Sequence, residues 1–165
     1  FYEDRLSMIN ELGAMLKTQD VMKSVRQLIE ENQQLNKKVA QLNTAKAGDL
    51  KTDLLKDAKE INGVDFIAKL VELDAKAIKN LAFELIKSND NLLLVLASQT
   101  DGKVTLTIAL SEKLSQAKGL HAGNMVRELA QEIKGGGGGQ AFFATAGGKD
   151  ASGIPTVLQK AEDYL

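Results

Sequence analysis

The chain has 165 residues, 44% of them hydrophobic, 4% aromatic and one a proline, which is enough for one domain or a domain with an appendage and favours helix over an all-β fold. A formal net charge of -1 excludes a global basic field, so any nucleic-acid partner has to be held by a local patch. The absence of cysteine excludes disulfides and thiolate metal sites, and a single histidine, His121, builds neither a metal cluster nor a Ser-His-Asp constellation.

Tyr2 to Lys17 is predicted helical, with Leu6, Ile9, Leu12, Met15 and Leu16 at helical spacing on one face. Thr18-Gln19-Asp20 interrupts the pattern, and Asp20 is placed to cap a second helix. From Val21 a heptad appears, with Val21, Leu28, Leu35 and Leu42 at one core position and Val25, Asn32 and Val39 at the other. Asn32 is a polar insert of the kind that fixes register at some cost in stability. The first helix spans roughly 22 Å, and the second, to about Gly48, roughly 40 Å. A hairpin of the two leaves Leu42 without cover. Either a second copy of the chain or the globular part that follows supplies it. A surface helix packed on its own domain stays open beside the coiled coil, because the heptad lasts only about three repeats.

Gly48-Asp49 is expected to start a fresh helix that turns Leu50, Leu54, Leu55, Ala58 and Ile61 inward and ends at Asn62-Gly63. Val64 to Val71 alternates and reads as a strand. Asp74 opens a helix to about Lys87, with Ile78, Leu81, Ala82, Leu85 and Ile86 inward. Leu92 to Ala97 is continuously apolar, as in a strand covered on both faces. Asp101-Gly102 signals a hairpin into Lys103 to Leu110. Ser111 to Gly119 is polar, and Lys113 and Lys118 there are read as solvated lysines able to extend a basic patch. A helix is expected from Ala122 to Lys134, stopped by glycines, then a short strand over Phe142 to Ala146, then a terminal helix with Pro155 in its first turn. The expected fold class is α/β (α+β): a helical arm over 1–62, then a globular domain over 63–165 with a mixed sheet flanked by helices.

The segment Gly135 to Asp150 reads Gly-Gly-Gly-Gly-Gly-Gln-Ala-Phe-Phe-Ala-Thr-Ala-Gly-Gly-Lys-Asp. Two aromatic residues between glycine blocks suit a folded turn better than a tether. The expectation is a loop whose bare backbone approaches something closely, either another backbone or a ligand. Exposed N–H groups in such loops make anion sites for phosphate. The plainer alternative is a tight connection that needs several positive φ angles.

Preceded by Ala122-Gly123-Asn124-Met125-Val126-Arg127-Glu128-Leu129-Ala130, this stretch resembles the C-terminal domain of alanyl-tRNA synthetases, of the DHH-associated domain family. Asp74, Lys76, Ile78, Lys79, Leu81, Ala82 and Leu85 echo the family's helix after its first strand. The chain departs from the pattern at Gln140-Ala141, at Phe142-Phe143, and at Lys79 and Phe83. The resemblance implies a module that docks the elbow of alanine-specific tRNA, helps link aminoacylation with editing, and dimerises through its helical part. It implies no catalytic residue, metal or cofactor in this chain. ATP, magnesium and zinc would belong to the parent ligase, upstream of Phe1, and a cytoplasmic location without membrane attachment is expected.

The candidate RNA-binding residues are Arg127, Lys134, Gly135, Gly136, Gly137, Gly138, Gly139, Gln140, Phe142, Phe143, Gly147, Gly148 and Lys149. For each a plainer role exists: glycines for conformation, lysines complementing a helix dipole, Arg127 on a solvated face, one phenylalanine in the core and the other exposed. The candidate oligomerisation residues are Val25, Leu28, Asn32, Leu35, Val39 and Leu42. A second reading is the substrate-binding half of a DHH-type phosphoesterase, in which a histidine usually follows the glycines where this chain has Gln140. A third is a purely structural coiled-coil adaptor, which leaves the glycines unexplained.

Overall fold

The computed structural model describes residues 2–100 and 102–165, with side chains from Ser7 onward except that of Thr44. The Leu6 side chain and Asp101, both named in the sequence reading, lie outside the described residues. The chain divides into two compact units, Phe1–Leu42 and Asn43–Leu165.

The first unit holds α1 (Tyr2–Met15) and the start of α2 (Val21–Lys56). Lys17 takes a left-handed φ of 50°, and Thr18 N–H reaches back to the Gly13 carbonyl at 2.9 Å. That is the hydrogen-bond pattern by which a helix ends when its last carbonyls turn back on the chain. Asp20 caps α2 as expected, its carboxylate accepting from Lys23 N–H at 3.0 Å. The heptad residues of α2 are exposed in this single chain: Leu28 is 50%, Leu35 60% and Leu42 63% accessible. Asn36, one turn on and outside the heptad core positions, donates to the Asn32 side chain at 2.8 Å.

The second unit is built on a six-stranded mixed sheet in the order β1-β2-β3-β4-β6-β5. Its strands are β1 (Lys59–Ile61), β2 (Val64–Val71), β3 (Leu92–Thr100), β4 (Lys103–Leu110), β5 (Gly136–Gly139) and β6 (Phe143–Gly148). Only β2 and β3 run parallel, with Phe66 opposite Leu93 and Ala68 opposite Val95. A parallel pair needs a crossover, and α3 (Ala75–Ser88) supplies it. Asp74 caps α3 by accepting from Ala77 N–H at 2.7 Å.

Alternation along each strand sends side chains to two cores. On one side Val104, Leu106, Ile108, Ala144 and Ala146 pack with α5 (Ala122–Leu129) and α6 (Ile154–Lys160). On the other, Ile67, Leu94 and Ala109 pack with Ile78, Leu81, Ala82 and Leu85 of α3 and with Leu54 of α2. β3 is buried on both faces from Leu92 to Ser98, as its unbroken apolar run predicts.

Several boundaries differ from expectation. Gly48 does not break α2; it is exposed, a Cβ added there would meet nothing within 4 Å outside its own helix backbone, and one glycine costs only about 1 kcal/mol against alanine. The helix ends at Lys56, and Ile61 lies on β1 rather than on a helix face. Asn62 and Gly63 both take positive φ, 49° and 76°, so they make a two-residue hairpin turn between β1 and β2 instead of a helix end. Leu55 is exposed. The polar segment after β4 contains a short helix, α4 (Glu112–Lys118), held by buried Leu114 and Ser115. α5 stops at Leu129, earlier than Lys134, and its last carbonyls are taken by tighter turns.

Candidate nucleic-acid interface

The glycine run is a strand. β5 pairs antiparallel with β6, with Gly136 opposite Gly147, Gly137 opposite Ala146, Gly138 opposite Thr145 and Gly139 opposite Ala144. This corrects the expected loop, while the close approach to another backbone, one of its two options, is met by β6. It also corrects the alternative built on positive φ, since the glycines with positive φ are Gly63, Gly102 and Gly119 among the described residues. The left-handed residue is Lys134, φ 48°, immediately before the run. Gly135 N–H then returns to the Ala130 carbonyl at 2.9 Å and Lys134 N–H to Gln131 at 3.1 Å.

Close approach explains part of the run. A Cβ at Gly135 would lie 2.1 Å from the Gly147 carbonyl oxygen, at Gly137 2.2 Å from that of Thr145, and at Gly139 2.4 Å from that of Phe143. Gly148 meets the Ile133 carbonyl in the same way, at 2.4 Å. At Gly137 and Gly139 any side chain would drive β5 off β6, and at Gly148 it would push β6 off the turns that follow α5. Gly136 and Gly147 differ, because nothing lies within 4 Å of a Cβ added at either one.

Those two open glycines are cross-strand partners and continue a row. Thr105 of β4 is opposite Gly147, which is opposite Gly136; in the next row Thr107 is opposite Thr145, which is opposite Gly138. Because Leu106, Ala144 and Ala146 point to the α5 side, both rows point to the α3 side. Thr145, Gly147 and Gly136 are exposed, and Thr107 is buried toward the centre of the sheet. The result is a flat ledge of peptide groups and hydroxyls about 10 Å across three strands. Thr105 and Thr145 were missed in the sequence reading; the two-residue alternation of β4 and β6 is the signal that finds them.

The N-terminal end of α5, beside the tip of the β5–β6 hairpin, is closed to anions. Ala122 N–H donates to the Ala141 carbonyl at 2.8 Å and Gly123 N–H to that of Gln140 at 3.2 Å, so its first donors are used. His121 precedes this helix, with a buried Nδ1 that has no hydrogen-bond partner among the described residues. No group of three or more His, Cys, Asp or Glu side chains is placed to hold a metal ion among the described residues.

The basic candidates divide. Arg127 is exposed on α5, its guanidinium 3.6 Å from where a Cβ at Gly138 would stand, and it makes one long contact, 3.5 Å, to Asn124. It forms no ion pair among the described residues and stands free beside the glycine strand. Lys149 is likewise exposed and free of an acidic partner among the described residues. Lys134 is tied to Asp150 at 2.7 Å, clasping the turn before β5 to the turn after β6. The Lys134 ammonium, with the Ser152 hydroxyl and N–H, holds the Asp150 carboxyl down at about 2. The same bond raises the Lys134 ammonium above its ordinary value. Gln140 is exposed, and its N–H closes the hairpin on the Phe143 carbonyl at 2.8 Å.

Phe142 and Phe143 do not split into one core and one exposed residue. Both are half-buried and gather on Phe83 of α3, since Phe142 precedes the strand and escapes its alternation. Phe143 stacks on Phe83 at 4.8 Å between centroids and 20° between planes; Phe142 tilts against it at 6.4 Å and 59°. The cluster borders the ledge at one end, two residues along β6 from Thr145.

The family described as the DHHA1 domain matches residues 63–165. The chain belongs to that family. Over its whole length it is 42% identical to an alanine–tRNA ligase of Christiangramia forsetii and 39% identical to one of Cytophaga hutchinsonii. In each case it spans about a fifth of the relative's length, 19%. The C-Ala domain of Aquifex aeolicus alanyl-tRNA synthetase superposes with a TM-score of 0.61 at 25% identity, covering 66% of this chain and 96% of that domain. Relatives and fold together place this DHHA1 chain with the C-terminal part of alanyl-tRNA synthetases.

Proposed function

We propose that this DHHA1 chain is the tRNA-docking module of an alanine–tRNA ligase, holding the outer corner of the folded RNA and helping present it for aminoacylation and editing. The observation that carries this reading is the pair Gly136 and Gly147. Neither needs to be glycine for φ or for internal packing, yet both are bare on an exposed ledge. A glycine without an internal reason is accounted for by a partner's flat surface coming close. A tRNA corner offers such a surface, with stacked bases flanked by phosphates and 2′-hydroxyls. Peptide planes meet the bases, Thr145 and Thr105 meet hydroxyls, and Arg127 and Lys149 meet phosphates.

The seam of α2 fits a second role of the same module. Val25, Leu28, Leu35, Val39 and Leu42 are each at least 39% exposed and, with Asn32, recur as a heptad. A second copy of the chain would cover them and use Asn32 to set register.

The decisive test is a titration with alanine-specific tRNA and with an acceptor-stem minihelix that lacks the corner, at two salt concentrations. Tight binding of the whole tRNA and none of the minihelix is expected. Equal binding of both would remove the corner from the account, and hydrolysis of a phosphodiester by the chain alone would favour the phosphoesterase reading.

A further inference from the structure

Ion pairs absorb many of the lysines in the second unit. Lys51, Lys56, Lys59, Lys69, Lys113, Lys134 and Lys160 each lie within 4.0 Å of an Asp or Glu oxygen. Three lysines of α3 do not. Lys76, Lys79 and Lys87 are exposed and form no ion pair among the described residues. With Phe83 they follow steps of three, four and four residues, which puts all four on one stripe of the helix.

The two flanks of α3 have different neighbours. On one, Glu84 accepts a 2.6 Å bond from Lys51 of α2. On the other, Phe83 stacks on Phe143 of β6, and the Lys79 ammonium stands 6.0 Å from the Phe83 ring. The lysine stripe therefore runs past the aromatic cluster that ends the ledge, on the same side of the sheet, and at its Lys87 end it lines a groove with Phe142, Asp90 and Glu112. In a chain whose net charge is -1, this is a local positive strip next to a neutral surface suited to bases.

We propose that this stripe is a phosphate track: the sugar-phosphate backbone of the RNA on the ledge runs along α3 and is held by Lys76, Lys79 and Lys87. The inference rests on the tRNA-docking reading and deepens it by naming phosphate contacts, beyond Arg127 and Lys149, that add to its salt dependence. Each lysine on a phosphate contributes about 0.7–0.9 to the slope of log affinity against log salt.

The test compares the wild-type chain, the Lys76→Gln/Lys79→Gln/Lys87→Gln variant, and a charge-matched control, Lys23→Gln/Lys37→Gln/Lys38→Gln on α2. All are titrated with whole tRNA over a salt series, with circular dichroism to confirm that each retains its helix. The α3 variant is expected to lose about two to three units of slope and the control almost none. An unchanged slope in the α3 variant, with wild-type binding intact, would overturn the track and leave the docking reading standing. An equal loss in the control would also overturn it, by assigning the effect to overall charge. Failure of the wild-type chain to bind tRNA would remove both.

Discussion

Adding one methyl group distinguishes two kinds of glycine in the β5–β6 hairpin. At Gly137 the new carbon would stand 2.2 Å from a backbone oxygen and 2.4 Å from the Ala146 Cα, contacts that no rotamer change relieves. Gly137→Ala is expected to cost about 1–3 kcal/mol or more, read as a lowered midpoint in thermal unfolding. At Gly136 the same methyl meets open space, so Gly136→Ala is expected to unfold within about 0.5 kcal/mol of wild type. It should nonetheless weaken tRNA binding about fivefold to a hundredfold, by holding bases away from the peptide planes. Stability and binding measured on this pair of variants separate architecture from recognition. Asp150 makes a second residue-scale prediction. Its folded-state pKa, about 2, lies below the ordinary 3.8, so its tie to Lys134 contributes fully above pH 3.8 and is lost as pH falls toward 2. Carboxyl-carbon NMR should find the Asp150 midpoint near 2, and Lys134→Gln should move it up toward the ordinary value.

Among the elements, those with a strong period were legible. β2, α3, β3 and β4 lie where alternation, the Asp74 cap and the apolar run of 92–97 put them. The losses came where residues carry no pattern. Glycine has no side chain to alternate, so Gly136 to Gly139 offered nothing to mark β5, and β6 was read as one more strand of the mixed sheet without this neighbour. Asn62-Gly63 carried a usable hairpin signal, but the apolar spacing of Leu50, Leu54 and Ile61 matched a helix as well as a helix followed by a strand. The ledge stayed out of sight because it depends on pairing Thr105 with Gly147 and Gly147 with Gly136, a relation between strands distant in sequence. On α2, by contrast, the heptad was plain, and its exposure leads to a prediction for that element. Sedimentation of the wild-type chain at tens of micromolar should give the mass of two chains. Leu35→Lys, which buries an unpaired charge in the seam, should give the mass of one.

For the whole molecule the governing quantity is where charge is left over. Near-neutral overall, with many lysines engaged by carboxylates, it has few cations to give a polyanion. Binding to tRNA should therefore weaken between 50 and 200 mM salt by less than for a strongly basic protein that contacts six to ten phosphates. The ledge itself carries a different consequence. Stacking of peptide planes on bases tolerates any sequence, because every base has a π-face, and a folded corner is recognised by shape. The chain should therefore bind tRNAs for other amino acids as well as it binds the alanine acceptor, which a competition assay would reveal. Selecting the right adaptor would then fall to other parts of the polypeptide, and this module would supply grip without choice.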